Sequence, residues 1–300
     1  MSPITHMDRT EGNEALLARQ EIITPAGKRA IPKLSGNALR HRMIRAPLAR
    51  HLVEACDLAG KLTMRQLNFL FHGGTLTDSS ARQDTAGWAK ARELLPMLRL
   101  LGGSLPDAIL PGSLIVDAGW LVCRENHPRV QSRCPAGVDV PVNLRSAEDF
   151  VGGYQYTRSD AAKSAADLVA RDAGADNSLM IISGQTVLPG AVFVHELIAN
   201  HISDLEIGAM LLGLALWQQS GGTIGGQASR GHGRLQTDIV LPDDIDAGGL
   251  VEDYDAHVRA NADDIGAWLT AAFATKAEKP TKGKKKGAKD ATPEGDGALV

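Results

Sequence analysis

The sequence predicts an α+β fold in the order strand, helix, insertion, strand pair, helix, strand. Three observations lead there: a helical run from Leu39 to Cys56, an alternating apolar stretch from Leu179 to Ile198, and an apolar helix ending at Trp217 followed by a strand pattern over Leu235–Leu241. Without its insertions this is the β-α-β-β-α-β order of a ferredoxin-like domain. With 300 residues and 43% of them apolar, the chain can build a substantial core, which excludes a mostly disordered protein. We read a single domain over residues 1–275, carrying a helical insertion at about 60–101 and an extended insertion at about 120–175. A Lys-rich tail over 276–300 follows.

The elements are justified in chain order. Residues 1–7 form the stub of a first strand, and a polar loop follows. Ile31-Pro32-Lys33-Leu34-Ser35-Gly36-Asn37 is turn chemistry. From it emerges a helix whose apolar residues Leu39, Met43, Ala46, Ala49, Val53 and Cys56 recur every three or four positions, with Pro47 expected to kink it. Two further helices, near 63–71 and 84–101, are separated by Gly73-Gly74. Short β-like runs such as Ser113–Cys123 lead into a polar, Arg-dotted stretch. Met180 and Ile182, then Val192, Val194 and Ile198, alternate on either side of Leu188-Pro189-Gly190, which predicts a hairpin. Ser203 and Glu206 make a capping box for a helix that is apolar almost all round and therefore buried. A last amphipathic helix spans about 250–273. Beyond it the Lys/Gly/Pro/Glu composition cannot offset ordering entropy, so the tail is expected to be disordered.

The formal charge of −3 conceals a partition. Residues 1–100 hold 15 basic and 9 acidic side chains, whereas 159–275 hold 5 and 16. Arg29, Lys33, Arg40, Arg42, Arg45 and Arg50 fall in one segment that contains no acid, the natural first contact for a polyanion. Aromatics are only 4%, which excludes extensive base stacking by Trp or Phe. Cys56, Cys123 and Cys134 are too few for a disulfide framework, the N-terminus has no secretion signal, and no apolar run reaches membrane-spanning length. These features predict a cytoplasmic protein with no membrane partner.

Metal and cofactor chemistry lack their motifs. His195 and His201 stand six residues apart, too far for two ligands one helical turn apart, and Cys123, His127 and Cys134 match no zinc-knuckle spacing. The glycine-rich segment Gly221–Arg234 leaves a helix and enters a strand, the reverse of a dinucleotide-binding loop, and no Gly-Lys-Ser/Thr follows a suitable loop. No cofactor is expected. What remains is a flexible loop whose small residues permit close approach and whose Arg230, His232 and Arg234 suit phosphate.

Two separated segments then form a pattern. Ile31-Pro32-Lys33-Leu34-Ser35-Gly36-Asn37-Ala38-Leu39-Arg40-His41-Arg42-Met43-Ile44-Arg45 resembles the Ile-Pro-Gly-Ser-Ser-Leu-Lys-Gly type signature of the RAMP superfamily of CRISPR-associated proteins, and Ile224–Arg234 resembles that superfamily's glycine-rich loop. Ser2-Pro3-Ile4-Thr5-His6, Phe69-Leu70-Phe71-His72-Gly73-Gly74 and Gly153-Tyr154-Gln155-Tyr156-Thr157-Arg158 are most similar, within it, to the backbone subunit of type IV effector complexes. Lys33-Leu34 replaces the usual glycine after Pro32, and His41 stands where a small residue often occurs.

The resemblance implies a modified RRM or ferredoxin-like palm in which the second insertion is thumb-like. It also implies a non-enzymatic subunit that binds CRISPR RNA, stacks head to tail along the guide, joins other effector subunits and presents the guide to a target nucleic acid. The implied RNA contacts are Lys33, Asn37, Arg40, His41, Arg42, Arg45, Arg50, Gly225, Gly226, Arg230, His232 and Arg234. Arg124, Arg129, Arg133, Arg145 and Arg158 would add contacts from the thumb. RNA-cleaving relatives carry an Asp between the first strand and first helix, whereas the stretch between Thr10 and Gly36 offers only Glu11, Glu14 and Glu21 as acids. Two alternatives stay open at this stage: a ribonuclease using His6, His41 or Asp8, and a scaffold whose basic helix binds a protein.

Overall fold

Two turn signals, Gly12-Asn13 and Pro25-Ala26-Gly27, fold the stretch after His6 into hairpins where the sequence suggested a loop. Strand β1 (Met7–Glu11) pairs with β2 (Glu14–Leu17), and β3 (Arg19–Thr24) with β4 (Gly27–Leu34), both antiparallel. Gly12 and Gly27 supply the positive φ angles, +59° and +98°, that such turns require. The strand signal was missing because β1 is exposed along its whole length and so needs no apolar alternation. The structure, a computed structural model, describes residues 2–74, 85–106, 108–134, 140, 145–158 and 180–274.

The first helical run has three parts: α1 (Gly36–Leu39), a π-helical segment (Arg40–Arg45) and α2 (Ala46–Ala55). Ser35 caps it, its Oγ accepting from the Ala38 amide. The expected irregularity at Pro47 takes the form of the π turn. Proline has no N–H and its ring would press on the carbonyl four residues back, so the preceding turn widens and the Ala46 amide donates five residues back to His41. Helix α3 (Met64–His72) starts at a Thr63–Gln66 capping box, and the expected 84–101 helix is divided into α4 (Thr85–Leu94) and α5 (Pro96–Leu101) by Pro96. Phe69, Leu70, Leu94, Leu95, Met97, Leu98, Leu100 and Leu101 all enter the same core as Leu48 and Leu52.

Two four-stranded sheets flank that core. One runs β1-β2-β10-β9, with β9 (Val151–Arg158) and β10 (Met180–Val187) antiparallel over eight residue pairs. The other runs β11-β8-β4-β3, with β8 (Gly119–Leu121) and β11 (Phe193–Val194). Two ribbons complete the strands, β5 (Gly103–Leu105) with β6 (Ala108–Leu110) and β7 (Leu114–Val116) with β12 (Leu197–Ala199). Helix α6 (His127–Arg133) and a 3₁₀ turn (Ala147–Phe150) lie between β8 and β9.

This corrects the expected hairpin. Its two arms alternate as foreseen, but β10 pairs with β9 and β11 pairs with β8, so Leu188-Pro189-Gly190 turns the chain from one sheet into the other. Alternation fixes which face a residue occupies and says nothing about which strand lies alongside. The expected last strand is also displaced. Residues 235–241 form no strand, and Ile239 and Val240 are exposed. The backbone that joins residues 2–5 is the glycine loop itself.

Helix α7 (Asp204–Gln219) is buried as expected, with Glu206 accepting from the Ser203 amide at 2.6 Å and from its hydroxyl at 3.0 Å. Two glycines let other elements approach it. A Cβ on Gly208 would lie 2.0 Å from the Leu250 carbonyl, and one on Gly213 would lie 3.0 Å from the Ile44 Cα. Helices α8 (Ala247–Ala260) and α9 (Ala262–Ala272) replace the single expected helix, which breaks at Asn261. Part of the helical insertion, over 75–84, lies outside the described residues. So do the tail and, within the thumb-like insertion, 135–139, 141–144 and 159–179. No described helix is long and apolar enough to cross a membrane.

Candidate nucleic-acid interface

Residues 2–6 sit between β10 and the glycine loop. Ile4 exchanges backbone hydrogen bonds with Val187 at 2.9 and 2.8 Å. On the other side Gly233 donates to the Pro3 carbonyl and Gly226 to the Thr5 carbonyl, each at 2.7 Å. Only glycine fits there. Gly225 has φ +77°, and a Cβ on it would stand 2.3 Å from the Thr5 oxygen. His232 closes the loop, its Nδ1 lying 2.7 Å from the Thr5 hydroxyl. Trp217, near the end of α7, donates from Nε1 to the Thr223 carbonyl and anchors the loop's entry.

The next residue reaches the other segment. The Ser35 amide donates to His6 Nε2 at 3.0 Å, while the His6 carbonyl accepts from Ala18, whose own carbonyl accepts from Lys33. Consecutive residues Thr5 and His6 therefore tie Ile224–Arg234 to Ile31–Asn37, segments that lie about 190 residues apart. His6 accepts at Nε2 and must be unprotonated there. Burial, helped by Lys33 and opposed by Asp8, holds its pKa below the usual histidine value.

The basic run divides into inward and outward members. Arg45 is 7% exposed and donates from Nη2 to the Leu101 and Gly102 carbonyls at 2.8 and 2.7 Å, so burial lowers its pKa to about 10. Arg40 is half-buried and also donates to Leu101. Both guanidinium groups hold the C-terminal carbonyls of α5, where cations are favoured. For Arg45 this corrects the expectation of a phosphate contact: the π turn buries Met43, Ile44 and Arg45 in succession. His41 lies against His72, rings 5.1 Å apart, with Nδ1 3.1 Å from the Phe71 carbonyl. Lys33 donates to Gln20 Oε1 at 2.9 Å. Asn37, Arg42 and Arg50 are exposed, Arg50 with Glu54 at 3.9 Å. From the loop, Arg230 and Arg234 are exposed too.

The thumb arginines are mostly engaged. Arg124 pairs with Glu125 at 3.2 Å, Arg133 pairs with Asp117, and Arg129 lies over the Trp120 ring at 4.1 Å. The Arg145 carbonyl accepts from the Arg124 amide. Arg158 ends β9 opposite Met180. Two residues that were not among the expected RNA contacts stand beside the loop. Tyr154 and Tyr156 on β9 are near-parallel, 6.2 Å apart, with Arg230 over Tyr156 at 3.6 Å and His232 edge-on to Tyr154 at 5.5 Å. The sequence signal was the Tyr-x-Tyr spacing, which puts both rings on one face of a strand.

Burial lowers the pKa of His6, His41 and His195. Each binds its proton less readily folded than unfolded. Their stabilising contribution is therefore full above the unfolded value of 6.5 and is lost as pH falls through it toward the lower folded values. The urea midpoint is expected to drop between about pH 7.5 and pH 5.5, and less steeply in His195→Gln. Equal midpoints at the two pH values would exclude this linkage.

No family model and no curated protein matches the sequence. Among solved structures, the chain is similar to a chain of a "Type IV-B CRISPR Complex" at 15% identity and a TM-score of 0.48, covering 80% of this chain and 91% of that one. It is also similar to Thermofilum pendens Csc2 at 13% identity and a TM-score of 0.37, covering 90% of this chain and 78% of that one.

Proposed function

We propose that the chain is a non-enzymatic CRISPR RNA-binding backbone subunit. Copies stack head to tail along the guide, and heterologous contacts of this kind propagate without closing. Within the assembly the guide is held by its backbone and read by base pairing with the target nucleic acid, while other effector subunits complete the complex. One observation carries the reading: the two segments whose resemblance suggested it meet through Thr5 and His6, with Asn37, Arg42, Arg50, Arg230 and Arg234 exposed on or beside them. His6 gives its Nε2 lone pair to the Ser35 amide, which supports a positioning role over that of a catalytic base.

Phosphate contacts by guanidinium groups release counterions, and for a single strand the slope of log affinity against log salt is about −0.7 per contact. The triple variant Arg42→Ala, Arg50→Ala, Arg234→Ala is expected to bind guide-length RNA more weakly and to lose about 2 from that slope. RNA binding with an unchanged slope removes these residues from the interface. Discrete cleavage products from labelled RNA incubated with the purified chain count against a non-enzymatic subunit.

A further inference from the structure

Tyr154 and Tyr156 belong to neither buried apolar cluster of the described residues, although two of the chain's three tyrosines are placed here. Their rings are within 10° of parallel. Opposite Tyr154 on β10 stands Gly184, and a Cβ there would come 2.6 Å from the tyrosine hydroxyl, so the ring extends across space that only glycine leaves open. Arg230 covers Tyr156 at 3.6 Å, and its only hydrogen bond among the described residues goes to Gln227. No described carboxylate pairs with it. An aromatic pair, a planar cation with no counter-ion among the described residues and a second exposed arginine, Arg234, together suit a planar aromatic ligand that carries negative charge beside it. Nucleotides of a single strand have that chemistry, since every base has a π face and every link a phosphate.

We propose that Tyr154, Tyr156 and Arg230 form a base-stacking site for single-stranded RNA. One base stacks on Tyr154 and its neighbour on the outer face of the Tyr156–Arg230 pair, while the free edge of the guanidinium meets the phosphate between them. Thr5 fixes His232 against Tyr154, which couples the platform to the glycine loop. The proposal rests on the RNA-binding reading and deepens it: contacts with phosphate alone would leave the bases unconstrained.

The test uses the purified full-length chain and a single-stranded oligoribonucleotide containing 2-aminopurine. The double variant Tyr154→Leu, Tyr156→Leu is expected to bind at least about fivefold more weakly with its salt slope unchanged, because stacking carries no charge. The 2-aminopurine quenching seen with the wild-type chain should vanish in that variant and persist in Tyr154→Phe, Tyr156→Phe, which keeps the rings. Arg230→Lys keeps the charge and loses the plane, so it should retain the slope and reduce the quenching, a readout that holds even if the leucine variant misfolds. Wild-type binding with a normal salt slope, but with affinity and quenching indifferent to these changes, overturns the stacking site and leaves the RNA-binding reading in place. Absence of any RNA binding by the wild-type chain overturns both.

Discussion

Replacing Gly225 or Gly233 by alanine is expected to destabilise the chain by about 2–4 kcal/mol each and to abolish RNA binding, whereas Gly231→Ala in the same loop should cost only about 1 kcal/mol. All three glycines hold positive φ, at +77°, +84° and +83°. What separates them is space. A Cβ on Gly225 would lie 2.3 Å from the Thr5 oxygen and one on Gly233 2.0 Å from the Ile224 oxygen, while at Gly231 it meets nothing within 4 Å. A flexible side chain can swing away from such a clash, but a backbone carbonyl moves only with the chain that carries it. The Gly226–Thr5 bond and the Thr5–His232 contact would part together, and with them the join between the loop and residues 2–5. Urea unfolding and RNA titration of the three variants check this. Equal losses at Gly225 and Gly231 would show that backbone strain alone matters and that the close approach does not.

The parts of the fold legible in the sequence were those fixed by local chemistry. Ser203 and Glu206 announced the start of α7 because a capping box is satisfied within four residues. Pro47 announced an irregularity because its ring and missing N–H act on the adjacent turn. Strand pairing was not legible, since Leu188-Pro189-Gly190 is equally good chemistry for a hairpin and for a corner between sheets, and choosing requires knowing that β9 lies beside β10. The interface was half legible for a related reason. Composition and charge located the basic run and the loop, but a run of arginines does not say which guanidinium groups the fold itself uses. Tyrosines two residues apart on β9 gained meaning only when Arg230, more than 70 residues later, was found over one of them.

The second large effect tests that division of the arginines directly. The variant Arg40→Met, Arg45→Met removes both donors from the end of α5 and leaves the Leu101 and Gly102 carbonyls without them. Each carbonyl so stranded costs roughly 1–3 kcal/mol, which puts the double variant about 4 kcal/mol below wild type. Arg45→Met alone should cost only about half of that, because Arg40 still serves Leu101 and removal of a neighbouring like charge offsets part of the loss. On the outer face the reverse is expected. Arg42→Ala with Arg50→Ala loses an exposed pair with Glu54 and little else, a change within about 1 kcal/mol, yet it subtracts two phosphate contacts and so about 1.4 from the salt slope. Arg45→Met, folded at low temperature, should keep the wild-type slope. Those results would divide four arginines within eleven residues into two that hold helix α5 and two that contact phosphate, whereas a salt slope reduced by Arg45→Met would place that buried guanidinium back among the phosphate contacts.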